Sequence, residues 1–178
     1  MFDFFKKRKL KSLLRKNNRQ RAFLNMESIQ SVLVLFETSD YEVVDLFVER
    51  LFEMGKSVDG YAFRVKDDTF DYSETNYTII SPKENSEKSG IPSEDLLKQL
   101  ESRHYDVIID LTTRENFSLQ YILTVIDATM TVGLKKSKLP CYDFSISKIP
   151  QAKGTKPQVS ELIKSIVFYL KTIKAKEA

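Results

Sequence analysis

Two short stretches gather the residue types that bind ligands or move protons. "ETSDYE" contains Thr38, Ser39 and Asp40, and "DLTTREN" contains Asp110, Thr112 and Thr113, followed by Arg114 and Glu115. Each follows an apolar run that reads as a buried strand, so each falls where ligands bind in open α/β sheets, beyond the carboxyl ends of the strands. A carboxylate there serves as a general base when its neighbours shift its pKa toward the working pH. It serves equally to accept hydrogen bonds from the backbone of the following turn, as buried polar groups generally must find partners. Ser39 and Glu42 have the spacing of a capping box, which predicts that Ser39 caps a helix and Asp40 complements its dipole. Neither turn has the glycines that let a backbone approach phosphate, so the P-loop and the dinucleotide fingerprint are both absent.

The other reactive residues are sparse. His104 is the single histidine and Cys141 the single cysteine, which leaves no metal cluster built on cysteines and no intramolecular disulfide. Cys141 reads as a small core residue at the start of a strand. No metal or cofactor is expected.

Charge is the strongest signal. Residues 1–25 hold Lys6, Lys7, Arg8, Lys9, Lys11, Arg15, Lys16, Arg19 and Arg21 against Asp3 alone, a balance of +8 in a chain whose total is +3, so the remainder carries −5. A basic segment of this kind neutralises phosphates and releases counterions, which points to RNA or a ribonucleoprotein. Phe2, Phe4, Phe5, Leu10, Leu13 and Leu14 lie among the cations. They leave open a peripheral contact with an anionic membrane, or packing on a protein surface. No apolar run is long enough for a signal peptide or a membrane span, so a cytoplasmic location is expected.

The elements that must position these residues follow from periodicity. The chain of 178 residues is 42% hydrophobic, with twelve Phe and eight Tyr, enough for one aromatic-rich core. Val32–Phe36 reads as a buried strand. Val43, Val44, Phe47, Val48 and Leu51 then recur at helical spacing, with Gly55 placed to end the helix. "KSVDGYAFRV" and "NYTII" read as strands, "PSEDLLKQLESR" as a helix capped by Ser93, and "YDVIIDL" as a strand covered on both faces. "NFSLQYILTVIDA" is helical, "MTVGL" and "CYDFSI" are strands, and "KPQVSELIKSIVFYLKTIK" is a final helix. The alternation predicts a three-layer α/β domain with a mainly parallel sheet over residues 29–178, preceded by a basic helical arm over residues 1–28. Residues 1–25 and parts of 65–93 are expected to pack poorly.

At "SVLVLFETSDYEVVDLFVERL" and "YDVIIDLTTRENFSLQYILTVIDATMTVGL" the chain resembles the N-terminal Rossmann-like half of the heptosyltransferase family of two-domain glycosyltransferases. It is similar, more closely, to an uncharacterised bacterial α/β family that has only this half behind a basic segment. The likeness covers residues 30–135, and Asp106, Asp110, Leu111, Val132 and Gly133 carry its more specific part. It implies a Rossmann-like fold and places Asp40 near the family's acceptor-activating aspartate, although Ser39 stands where that family has glycine. It also implies a donor site in a second domain, for which 178 residues leave no room. The expectation is therefore a non-enzymatic binding or adaptor protein that docks on RNA or a ribonucleoprotein such as the ribosome. A membrane-bound or complex-bound subunit and a split glycosyltransferase-like enzyme are the alternatives. Thr38, Ser39, Asp40, Asp110, Thr112 and Thr113 are the candidate ligand-binding residues, and a protein partner is expected.

Overall fold

The computed structural model describes residues 2–81, 90–149 and 158–173. Helix α1 (Phe2–Lys16) leads into β1 (Ser31–Glu37), and a 3-10 turn over Thr38–Asp40 opens directly into α2 (Tyr41–Glu53). There follow β2 (Ser57–Phe63), β3 (Tyr77–Ile80), α3 (Glu94–Glu101), β4 (Tyr105–Asp110), α4 (Phe117–Val125), β5 (Ala128–Leu134), β6 (Phe144–Ile146) and α5 (Val159–Thr172). All the strands pair in parallel in the order β3-β2-β1-β4-β5-β6. This is the Rossmann-like arrangement, in which the chain runs outward from β1 in one direction and then restarts at β4 in the other.

The continuous apolar runs follow from cover on both faces. Val32, Val34 and Phe36 of β1 pack with Val44, Phe47, Val48 and Leu51 of α2 and with Leu162, Ile166 and Leu170 of α5. The alternate residues Leu33 and Leu35 face the other way, toward Leu96 and Leu100 of α3 and Leu119, Ile122 and Leu123 of α4. Two cores flank one sheet, so a one-residue slip of β1 would exchange them. Gly55 ends α2 with φ +76, a left-handed conformation that glycine adopts at little cost. Ser93 caps α3 by accepting from the Leu96 amide at 3.4 Å.

Three expectations need correction. Ser39 does not cap α2: it lies inside the 3-10 turn and its hydroxyl donates to the Asp40 carboxylate at 3.4 Å, while α2 starts with no side-chain cap. The turn continues the strand into the helix and removes the extended residue that a capping box requires. Cys141 precedes β6 instead of starting it, because Asp143 is turned toward the Thr131 amide and hydroxyl before the strand begins. The N-terminal segment, although most of its described side chains are exposed, is anchored to the body at several points. Leu10 of α1 is 1% exposed, Leu14 joins the core under α3 and α4, and the segment behind α1 crosses the edge of β5 to reach α5. Among the described residues no helix is long and apolar enough to cross a membrane.

Candidate functional site

Helix α1 has two faces. On a helical wheel at about 100° per residue, Leu10 and Leu14 point one way, and Lys7, Arg8, Lys11 and Arg15 fill an adjoining sector of about 100° that begins beside Leu14. The inner face rests on α4, where Lys6 places its ammonium 4.8 Å from the Phe117 ring centre and Lys9 lies 5.3 Å from that of Tyr121. Lys7, Arg8, Lys9, Lys11, Arg15 and Lys16 are exposed. Among the described residues none of these six is in an ion pair. Lys11, Arg15 and Arg21, with Leu14 and Pro140, line a cleft of about 310 Å³.

Arg19 belongs to a different environment from the other cations. Its side chain is 6% exposed, and its guanidinium donates to Ala128 O at 2.6 Å, Thr129 O at 3.2 Å, Thr131 Oγ1 at 3.3 Å and the buried Asp143 carboxylate. The Ala22 amide adds a bond to Thr129 O at 3.2 Å, and Asn17 Nδ2 one to Thr124 O at 2.8 Å. The β5–β6 pairing registers from Val132 onward, so Ala128–Thr131 present a strand edge that this segment covers. Arg19 is therefore committed to the fold, whereas Arg21, half exposed, reaches Asp143 at 3.6 Å from outside.

The strand-end residues separate into two groups. Asp110 pairs with Leu35 across β4 and β1, so the two turns singled out in the sequence are neighbours at the point where strand order reverses. Asp110 is fully buried, and four donors occupy its two oxygens. The Thr112 amide and hydroxyl reach Oδ1 at 2.8 and 2.7 Å, and the Lys136 ammonium and Tyr142 hydroxyl reach Oδ2. Lys136 also donates to Thr112 O at 2.9 Å. Burial, then the Asp110 charge, hold the Tyr142 hydroxyl far above its ordinary range, so it remains a donor. Gly133 makes the arrangement possible, since a Cβ there would lie 2.6 Å from the Tyr142 ring and 3.1 Å from Asp110 Cβ. Saturated in this way, Asp110 has no lone pair free to take a proton from a substrate. Thr113 is partly exposed beside the cluster and contributes nothing to it.

Thr38, Ser39 and Asp40 instead border an open cavity of about 440 Å³, together with Tyr41, Glu42, Val43, Phe70 and Tyr72. Thr38 Oγ1 accepts from the Val65 amide at 3.1 Å, which docks the loop behind β2 against the end of β1. Burial pushes the Asp40 carboxyl up, opposed by the Ser39 hydroxyl and the Arg114 charge. Sequence reasoning missed Lys136, Tyr142, Phe70 and Tyr72. Lys136 had a signal, since it follows the carboxyl end of β5 as Asp110 ends β4. Tyr142, Phe70 and Tyr72 had none. His104 is exposed, sharing Asp127 at 2.9 Å and Thr129 at 3.2 Å. Burial and the Asp110 charge push the Cys141 thiol up to about 11, as suits a packed thiol.

Fold and surface together define a Rossmann-like α/β domain with an integral basic helix. The chain belongs to a family of unknown function (DUF6913), which it matches over residues 3–173, so the family spans the basic helix as well as the sheet. No curated protein and no solved structure matches the chain.

Proposed function

We propose that this is a non-enzymatic adaptor that docks on RNA, as such or within a ribonucleoprotein such as the ribosome, through the outer face of α1. The observation that carries the proposal is the set of exposed cations Lys7, Arg8, Lys11 and Arg15, in no ion pair among the described residues, on a helix anchored to the body by Leu10 and Leu14. Anchoring matters energetically, because the cations meet a polyanion already arranged and little ordering entropy opposes the contact. The same anchoring counts against a lipid surface. Leu10 and Leu14, which an interfacial helix would insert, are turned into the protein. A split glycosyltransferase-like enzyme draws less support, since Asp110 is saturated by its own neighbours and only Asp40 faces a cavity. Likeness at the level of the fold does not supply an activity.

Deleting the N-terminal segment would be a poor test, because Leu10, Leu14 and Arg19 would leave with it. The suitable variant replaces Lys7, Arg8, Lys11 and Arg15 with Glu and keeps the inner face. In gradient sedimentation of cell extract, the parent chain should migrate with ribonucleoprotein and return to the top after RNase. The variant should stay at the top. Equal migration of the variant and the parent, or migration of the parent that RNase does not change, would overturn the proposal.

A further inference from the structure

The cavity at the carboxyl end of β1 has walls unlike those of the basic face. Tyr41, Phe70 and Tyr72 line it with Asp40 and Glu42, and among the described residues no Lys or Arg lines it. The three rings form a connected wall, with centres 4.8 Å apart for Phe70–Tyr72, 5.6 Å for Tyr41–Tyr72 and 6.4 Å for Tyr41–Phe70. Phe70 is 59% exposed, so its ring is open to a ligand in the cavity. The loop that presents it is internally fixed. Arg64 donates to Asp68 O and Phe70 O, each at 3.2 Å, the Phe70 amide donates to Asp68 Oδ1 at 3.1 Å, and the Tyr72 hydroxyl donates to Asp68 Oδ2 at 3.0 Å. The backbone turns at Asp67 with φ 65, a conformation Asp tolerates better than most residues.

This chemistry selects a class of ligand. A phosphate or nucleotide would meet two carboxylates, while the nearby Arg64 is engaged by the Tyr72 ring and the loop carbonyls and Arg114 acts on Asp40. A neutral apolar group would cover the rings but gain nothing from the half-buried Asp40, where burial outweighs the Ser39 hydroxyl and the Arg114 charge. An ammonium group carrying alkyl substituents satisfies both features, with its apolar shell on the rings and its charge against the ring faces and the carboxylates. The protein already uses this contact at the edge of the site, where the Arg64 guanidinium lies 5.2 Å from the centre of the Tyr72 ring. We propose that the cavity bounded by Asp40, Tyr41, Glu42, Phe70 and Tyr72 binds an alkylated ammonium group, either of a free small molecule or of a protein side chain. The site is separate from the RNA-docking face and stands or falls independently of it.

The test is a titration of the ¹⁵N-labelled full chain, followed by amide shifts, with choline and with its neutral isostere 3,3-dimethylbutan-1-ol. Choline should move the signals of residues 38–43 and 70–72 and bind about tenfold more tightly than the isostere. Phe70→Ala, at an exposed position that leaves the core intact, should weaken choline by about 5- to 30-fold, the range expected for one well-placed ring. Asp40→Asn should weaken choline and leave the isostere unchanged. Tighter binding of a short peptide bearing trimethyl-lysine would assign the site to a protein side chain, and tighter binding of choline to a small molecule. Equal binding of choline and isostere, choline shifts that survive Phe70→Ala, or preference for a neutral sugar over choline would each overturn the proposal.

Discussion

Replacing Arg19 with Met should destabilise the fold strongly while leaving the exposed basic face as it was. Arg19 and Asp143 have side chains 6% and 9% exposed. Without the guanidinium, Asp143 would keep only the Thr131 amide at 2.8 Å, its hydroxyl at 2.9 Å and the distant Arg21 at 3.6 Å. The carbonyls of Ala128 and Thr129 would also lose Arg19 as a donor. Removing one partner of a buried pair costs about 3–5 kcal/mol, and Arg21 can swing in to recover part, so a loss of about 3 kcal/mol is expected. With a urea slope of about 2 kcal/mol per M, the unfolding midpoint measured by far-UV circular dichroism should fall by about 1.5 M. Asp143→Leu in the Arg19→Met background should restore much of the loss, because no buried charge then remains, and the double-mutant cycle should show strong coupling. A loss below about 1 kcal/mol, or additive effects of the two substitutions, would refute the assignment of Arg19 to the fold.

Three further outcomes follow from individual contacts. Gly133→Ala should cost about 1–3 kcal/mol in chemical denaturation, because the new methyl displaces the Tyr142 ring from Asp110. Asp40→Asn should raise the melting temperature at neutral pH and lose that gain in acid. Burial raises the Asp40 pKa above its ordinary 3.8, so the folded state binds the proton more tightly and stability falls as pH rises from that value through the folded pKa. A melting curve pair at pH 7 and pH 3 reads the difference. Cys141, its thiol pushed up to about 11, should resist a thiol-specific disulfide reagent at pH 8 until urea unfolds the chain.

Much of the architecture was legible because each strand and helix announces its own burial. Val32–Phe36 reads as a strand covered on both faces, and Val44, Phe47, Val48 and Leu51 as the helix lying on it, whereas Val43, read on the same face, is 40% exposed. That the ends of β1 and β4 are neighbours followed from topology alone. What stayed hidden depends on contacts distant in sequence. Nothing in "NNRQR" distinguishes Arg19, whose partners lie more than a hundred residues away, from Arg21 two positions later. Lys136 and Tyr142 meet Asp110 only once β5 and β6 are laid beside β4. Phe70 and Tyr72 sit in a polar stretch whose loop is fixed by side-chain bonds to Asp68, which periodicity does not register. The cap assigned to Ser39 failed because a capping box and a 3-10 continuation share the same residues and differ only in backbone angles.

The central claim, an anchored cationic face that reads phosphate, is tested most directly by the salt dependence of binding to single-stranded RNA. Each cation engaged contributes about −0.7 to the slope of log K against log salt. Replacing Lys7, Arg8, Lys11 and Arg15 with Gln should therefore make the slope shallower by about 2.8 and weaken binding across unrelated sequences alike, with the melting temperature unchanged. An unchanged slope, or no measurable affinity of the parent chain for RNA at low salt, would contradict it.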